Sequence, residues 1–207
     1  MLEPYLVGSK AESGQAMARL KLFAADVIRW NRTGSNIMGK NDESRIVTRH
    51  LAESMVPAKI MQESGLESWL DFGSGAGFPA IPLAIVGVGT SWLLVESRRQ
   101  KSLFLRKMVE SLELGHVEVI NSRLETLEES RREFDGFTSR ATEGLDKTLA
   151  LAAHRVRTGG QAFLWRAGSR SAELRQTASW VEQWAVGRVT KIPDGLAEVA
   201  EFTRRES

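Results

Sequence analysis

The sequence predicts an α/β protein: a doubly wound, mostly parallel sheet of Rossmann-like type, carrying an N-terminal helical extension. Three observations lead there. From Leu66 onward short apolar runs alternate with amphipathic stretches, the pattern of strand–helix units joined by right-handed crossovers. The first run ends in Asp71-Phe72-Gly73-Ser74-Gly75-Ala76-Gly77-Phe78-Pro79, which reads as a strand end, a glycine turn and a helix start. Residues 1–64, by contrast, show only helical spacing. The expected division is 1–64 for the extension and 65–207 for the sheet domain, which suits a chain of 207 residues.

In the extension, Leu20, Phe23, Val27 and Trp30 recur at helix spacing and predict a helix from Lys10 to Trp30. Asn31-Arg32-Thr33-Gly34-Ser35-Asn36 is turn chemistry. A second helix is expected from Glu43 to Gln62, with Ile46, Val47, Leu51, Met55 and Ile60 on its apolar face and Pro57 kinking or splitting it. Strands follow at Leu66–Phe72, Ser91–Val95, Val117–Ile120, Phe134–Thr138 and Gln161–Trp165. Helices are expected at Phe78–Val86, where Pro82 sits early enough to be tolerated, and at Arg98–Leu114, stopped by Gly115. Another runs from Leu145 to Arg155, stopped by Gly159-Gly160. Arg123–Arg132 reads as a charged, partly helical segment, Ser171–Trp184 as a helix and Trp184–Ile192 as a weak strand. Ala197–Ser207 is expected to form one edge strand with a frayed end.

Composition narrows the chemistry. Apolar residues make up 42% and charged residues 26%, enough for a packed core. The 28 Lys and Arg against 26 Asp and Glu leave a net charge of +2, so affinity for nucleic acid has to come from local clusters. Without cysteine there are no disulfides and no thiol catalysis. The three histidines, His50, His116 and His154, are far apart, so no metal site is expected. The N-terminus has no cationic stretch followed by an apolar one, and the most apolar segment, Phe78–Val88, is short and broken by Pro79 and Pro82. A cytoplasmic protein without a membrane partner is expected, and with no coiled-coil seam the expected state is a monomer.

The glycine stretch carries the ligand chemistry. Glycines let the backbone approach a ligand closely, and a helix start offers free N–H groups. Two ligands compete: a nicotinamide or flavin dinucleotide, and S-adenosylmethionine. Both use an acidic residue at the end of the second strand to bind ribose hydroxyls, here Glu96. Spacing separates them. Gly73, Gly75 and Gly77 read G-x-G-x-G rather than G-x-G-x-x-G, and Phe78 would crowd a pyrophosphate. Asp71 before the first glycine sits poorly beside pyrophosphate but suits a ligand bearing sulfonium and ammonium groups. This favours the class I S-adenosylmethionine-dependent methyltransferase type of sheet.

Longer stretches resemble one family. Asp71 to Leu83 resembles the first motif of the RsmG/GidB family, DxGTGxGxPGIPLA. Leu94-Val95-Glu96-Ser97-Arg98-Arg99-Gln100-Lys101 with Phe104-Leu105 resembles its second motif, Asn121-Ser122-Arg123-Leu124-Glu125 its loop after the third strand, and Phe134 to Ala141 its FDxxxSRA motif. Upstream, Trp30-Asn31, Asn36 and Arg49-His50-Leu51 resemble the WN, NLT and RHxxDS signatures. The resemblance covers roughly Leu20 to Gly168. It implies transfer of a methyl group from S-adenosylmethionine to guanine N7 of small-subunit (16S) ribosomal RNA, as free RNA or in a ribosomal particle. The implied cofactor contacts are Gly73, Phe78, Leu124, Glu125 and Arg140; Asp71, Gly75, Gly77 and Glu96 join them on the chemical grounds above. Three places depart from the family: Asn36-Ile37-Met38 stands for NLT, Ala52-Glu53-Ser54 replaces the usual DS, and Arg166-Ala167-Gly168 replaces a lysine–glycine pair.

Guanine N7 has a lone pair and no proton to lose, so in-line positioning suffices and no general base is needed. Ser139 and Arg140, expected on the loop after the fourth strand, are the candidates for holding the guanine edge. Basic residues that could track phosphates cluster at Arg45 and Arg49, at Arg98, Arg99, Lys101, Arg106 and Lys107, and at Arg166 and Arg170. For each cluster a solvated helix face is the competing reading. Two other functions stay open: a methyltransferase for tRNA or a small molecule, and a non-enzymatic module that only binds S-adenosylmethionine.

Overall fold

A computed structural model describes residues 6, 10–127, 133–140, 144–167, 179–193 and 197–206. Helix α1 (Lys10–Trp30) forms as its periodicity predicts, with Leu20, Phe23 and Val27 fully buried on one stripe. The expected second helix is instead four pieces: a 3-10 turn at Lys40–Arg45, π-helical turns at Ile46–Leu51, α2 (Ala52–Met55) and α3 (Ala58–Glu63). Its apolar spacing explains the break. Ile46 and Leu51 are five positions apart and both buried; an α-helix would turn them about 140° away from each other, whereas the wider π turn keeps them on one side. Pro57, which lacks an N–H, separates α2 from α3.

The strands and helices that follow are β1 (Ser68–Phe72), α4 (Ala80–Ile85), β2 (Ser91–Val95), α5 (Arg99–Ser111), β3 (Val117–Ile120), β4 (Phe134–Arg140), α6 (Leu145–Ala153), β5 (Val156–Ala167), β6 (Trp184–Lys191) and β7 (Ala197–Arg204). They form one sheet in the order β3-β2-β1-β4-β5-β7-β6. The strands from β3 to β5 pair in parallel, and β7 runs antiparallel between β5 and β6. The final strand is therefore not an edge: Val199, Ala200 and Phe202 are buried, and β6 takes the exposed position. Gly159-Gly160 lies inside β5 rather than ending a helix. The segment at 123–132 contains a 3-10 turn at Leu124–Thr126, with 128–132 outside the described residues. Of the helix expected over Ser171–Trp184, residues 171–178 also lie outside them, and Ser179–Glu182 is a 3-10 turn. No helix among the described residues is long and apolar enough to cross a membrane.

Each face of the sheet has its own core. One face packs Trp69, Leu94, Phe163 and Trp165 against α1, α2, α4 and α5, so the N-terminal helices share a continuous core with the sheet. The other packs Leu70, Phe137 and Leu164 against Leu149, Trp180 and Trp184. Trp69 and Trp92 stack at 5.6 Å across neighbouring strands.

The FDxxxSRA stretch has two ends with different jobs. At the start of β4, Asp135 Oδ2 accepts hydrogen bonds from Glu67 N, Ser68 N and Ser68 Oγ, and Oδ1 accepts one from Arg157 at 2.6 Å. Burial pushes this carboxyl up, but the bonds from Arg157 and Ser68 outweigh it and hold its pKa at about 2. Next to it, Gly136 sits directly opposite Trp69, whose ring occupies the space a Cβ would need. Gly136→Ala should therefore lower stability by about 1–3 kcal/mol through overpacking, read as a lower urea midpoint at unchanged m-value.

Candidate functional site

The order of strands reverses between β1 and β4, and the glycine turn leaves the C-terminal end of β1 at that point, where sheets of this kind bind ligands. Gly73, Gly75 and Gly77 have φ of 70°, 56° and 90°, a region that only glycine enters without strain. Gly77 is also a packing position, because a Cβ there would meet Ile81, Phe23 and Leu105. The turn is fastened from within. Gly73 N and Ser74 N donate to the Val95 carbonyl, Gly77 N donates to the Ser74 carbonyl, and Gly75 N donates to Glu96 Oε2 at 2.8 Å. The free N–H groups expected of this stretch are thus largely spent inside the fold.

Glu96 shows the same economy. Its other carboxylate oxygen accepts from Arg98 N at 2.7 Å, so this buried side chain ties the end of β2 to the glycine turn and to the start of α5. Asn121, at the end of β3, donates to the carbonyls of Glu96 and Ser97 at 2.9 and 3.0 Å and fixes the adjoining loop. Beside these residues opens a cavity of about 380 Å³, lined by Phe72, Gly73, Ser97, Arg98, Leu124 and Glu125 among others. Leu124 is buried; Glu125 is half exposed and pairs with Lys147 at 3.6 Å.

Asp71 lies beneath the turn, 1% exposed. Register places it opposite Thr138, whose hydroxyl donates to Asp71 Oδ1 at 2.6 Å. Asp71 Oδ2 is buried with no hydrogen-bond partner among the described residues. Burial raises the carboxyl to a pKa of about 6, against the bond from Thr138, and the nearby Glu96 raises it further. A buried carboxylate oxygen without a hydrogen-bond partner is costly and calls for a cation.

Ser139 and Arg140 end β4 rather than occupying a loop after it; Ser139↔Phe72 and Arg140↔Trp165 are sheet pairs. Ser139 Oγ donates to the Phe72 carbonyl at 3.2 Å. Arg140 does not line the cavity. It turns toward the extension, donating to Glu53 Oε2 at 2.6 Å and to His50 Nδ1 at 2.9 Å. Glu53 is also held by Arg49 through Oε1 and by Trp165 Nε1 through its carbonyl. At the Ala52-Glu53-Ser54 departure, Glu53 supplies the carboxylate that Arg140 meets. His50 packs at a tilt against Phe78, ring centroids 5.4 Å apart, and Phe78 also meets Phe23 at 5.1 Å. Burial, then the charge of Arg140, lowers its pKa to about 4, so it is neutral at pH 7 and accepts at Nδ1. Its Nε2 faces Asp42 at 3.5 Å and has no hydrogen-bond partner among the described residues.

Site residues thus fall into three groups: Asp71 and the glycine turn in the centre, Glu96, Leu124 and Glu125 around the cavity, and Arg140 with Phe78 toward the extension. Thr138, Asn121, His50 and Glu53 complete them; all four stand inside family-like stretches, Thr138 at a variable position of FDxxxSRA. The basic clusters also sort themselves. Arg49, Lys107 and Arg166 face acidic partners, whereas Arg45, Arg98, Arg99, Lys101, Arg106 and Arg123 form no ion pair among the described residues. Arg98 and Arg123 line the cavity mouth. Arg170 and Ala141 lie outside the described residues. Among the described residues no group of three His, Asp or Glu could hold a metal ion.

Known proteins share this fold. The ribosomal protein L11 methylase of Lactobacillus delbrueckii subsp. bulgaricus matches 74% of this chain and 79% of its own at a TM-score of 0.60 and 14% identity. An rRNA methylase of Streptococcus thermophilus matches 73% of this chain and 96% of its own at a TM-score of 0.55 and 13% identity. At that distance they establish the class I methyltransferase fold and no more. Sequence relatives are nearer. The ribosomal RNA small subunit methyltransferases G of Xanthomonas euvesicatoria pv. vesicatoria and Stenotrophomonas maltophilia (strain K279a) are each 34% identical. The matches cover 88% and 84% of this chain and 83% and 79% of theirs. The family GidB, described as rRNA small subunit methyltransferase G, matches residues 16–195. On that match and those identities, this chain belongs to the rRNA small subunit methyltransferase G family.

Proposed function

We propose that this protein transfers a methyl group from S-adenosylmethionine to N7 of a guanine in small-subunit ribosomal RNA. The observation that carries the cofactor half is Asp71: a buried carboxylate under the glycine turn, one oxygen hydrogen-bonded and the other orphaned. The ammonium and sulfonium charges of S-adenosylmethionine fit that demand, and a pyrophosphate does not. The substrate half is supported by family membership and by two cations that line the cavity and have no ion-pair partner among the described residues, Arg98 and Arg123.

When bound, S-adenosylmethionine supplies an activated methyl group on a sulfonium. The protein's part is to bind and orient. Asp71 meets positive charge, the glycine turn allows close approach, and Glu96 keeps one lone pair on each oxygen for ribose hydroxyls. Leu124 offers apolar surface beside Glu125 for the adenine, and Phe78 and Arg140 close the side toward the extension. Guanine N7 attacks with its own lone pair, so no residue needs to remove a proton. The site agrees: Glu96 and Glu53 are committed to hydrogen bonds, and His50 already accepts from Arg140. Ser139 and Arg140 act by position at the end of β4. The target base has to be unstacked or in a loop, since a stacked base hides its edges from a pocket.

The test is methyl transfer from labelled S-adenosylmethionine to naked 16S rRNA, assembled small subunits and tRNA. Label at guanine N7 in either form of the small-subunit RNA is expected. Label in tRNA alone would assign a different substrate, and S-adenosylmethionine binding without transfer to any RNA would leave only a binding module.

A further inference from the structure

S-adenosylmethionine ends in a carboxylate as well as an ammonium group, and the glycine turn has little left to hold it. The N–H groups of Gly73, Ser74 and Gly77 are bonded to carbonyls, and that of Gly75 to Glu96. Asp71 and Glu96 place two buried carboxylates at the same spot, and both repel a third negative group. A full positive charge has to offset them. Arg98 lines the cavity beside Leu124 and Glu125, toward the adenine side of the proposed ligand. Lys101 is the cation at the turn itself. It projects from the first turn of α5, and a Cβ built on Gly75 would lie 4.0 Å from its Nζ. The side chain is half-buried, and its ammonium has no hydrogen-bond or ion-pair partner among the described residues. Burial lowers its pKa, while nearby Glu96 favours the charged form.

We propose that Lys101 anchors the carboxylate of the cofactor above Gly75, while Asp71 takes its ammonium group. The assignment rests on the cofactor reading above. It gives the zwitterion two opposite partners, one buried under the turn and one reaching over it from α5, which fixes the direction in which the ligand lies.

The test compares S-adenosylmethionine with its decarboxylated analogue, which lacks only the carboxylate, by isothermal titration. Lys101→Met should weaken S-adenosylmethionine binding about tenfold, the effect of one lost charged hydrogen bond, and leave binding of the analogue unchanged. Lys101→Arg should keep the preference for the carboxylate form, which separates lost charge from lost fold. Equal weakening of both ligands by Lys101→Met would overturn the assignment. So would unaltered cofactor binding with weakened RNA binding, which would place Lys101 on a phosphate instead. Failure of the wild-type protein to bind either ligand would overturn the cofactor reading itself, a result distinct from both.

Discussion

Asp71→Asn is expected to make the free protein more stable at neutral pH, by about 3 kcal/mol, while abolishing S-adenosylmethionine binding. The carboxyl has a pKa of about 6 in the fold against 3.8 as its ordinary value, and each unit of that difference is worth about 1.4 kcal/mol. The sign follows from the protons. Between those values the folded state holds the proton that the unfolded chain has released, so stability falls as pH rises from about 4 to about 6. Above that range the whole penalty for the buried charge is present. Asparagine carries no charge, yet its carbonyl oxygen still accepts from Thr138. Urea unfolding should therefore show the two proteins alike near pH 4, with the variant ahead by pH 7. Calorimetry should show the cofactor binding only the wild type, with affinity declining as pH drops below 6 and Asp71 takes up a proton. A variant less stable than the wild type at pH 7, or one that still binds, would remove Asp71 from the role given it here.

Glu53→Ala is expected to be as damaging as Asp71→Asn is stabilising. Glu53 and Arg140 meet at 2.6 Å with only 9% and 13% of their side chains exposed. Removing the carboxylate leaves a buried guanidinium with a neutral histidine as its main partner. Breaking a buried pair from one side costs about 3–5 kcal/mol. The same change leaves Arg49 with Asp42 alone and loosens the segment that carries His50 onto Phe78. Methyl transfer should fall on the order of a hundredfold, as when reacting groups are misplaced by about an ångström. Glu53→Gln keeps an acceptor for Arg140 and should lose less on both measures. Pairing Glu53→Ala with Arg140→Met should recover part of the stability but none of the activity, because no unpaired charge remains while the site has lost its arginine. A stability loss below about 1 kcal/mol in Glu53→Ala would show that the pair is solvated.

What could be read from the sequence follows the range over which the chemistry acts. The glycine turn, Asp71 before it and Glu96 after the next strand are local patterns set by backbone conformation, and the structure brings them together at the sheet's switch point. The alternation of strands and helices likewise gave the parallel sheet. Position within the sheet was less legible. The last strand carries an ordinary apolar pattern that serves an edge or an interior place equally well, and only packing on both sides puts it between β5 and β6. The irregular turns at Ile46–Leu51 follow a five-residue spacing that looks helical in a window tuned to a period of 3.6. The Arg140 cluster was hidden for another reason: its partners Glu53 and His50 are 87 and 90 positions away. A sequence that shows acidic and basic residues does not show which of them meet. The spent N–H groups of the glycine turn were invisible for the same cause, since their acceptors lie on β2, on Glu96 just after it, or within the turn's own reverse bend.

The most direct measurement is the fate of guanine N7 in small-subunit ribosomal RNA from cells lacking this protein. Reduction and aniline cleavage break the RNA chain at 7-methylguanosine. One site should be cut in RNA from the parent strain, lost in the deletion strain, restored by the wild-type protein and not restored by Asp71→Asn. An identical cleavage pattern with and without the protein would contradict its assignment as a guanine-N7 methyltransferase of the small subunit.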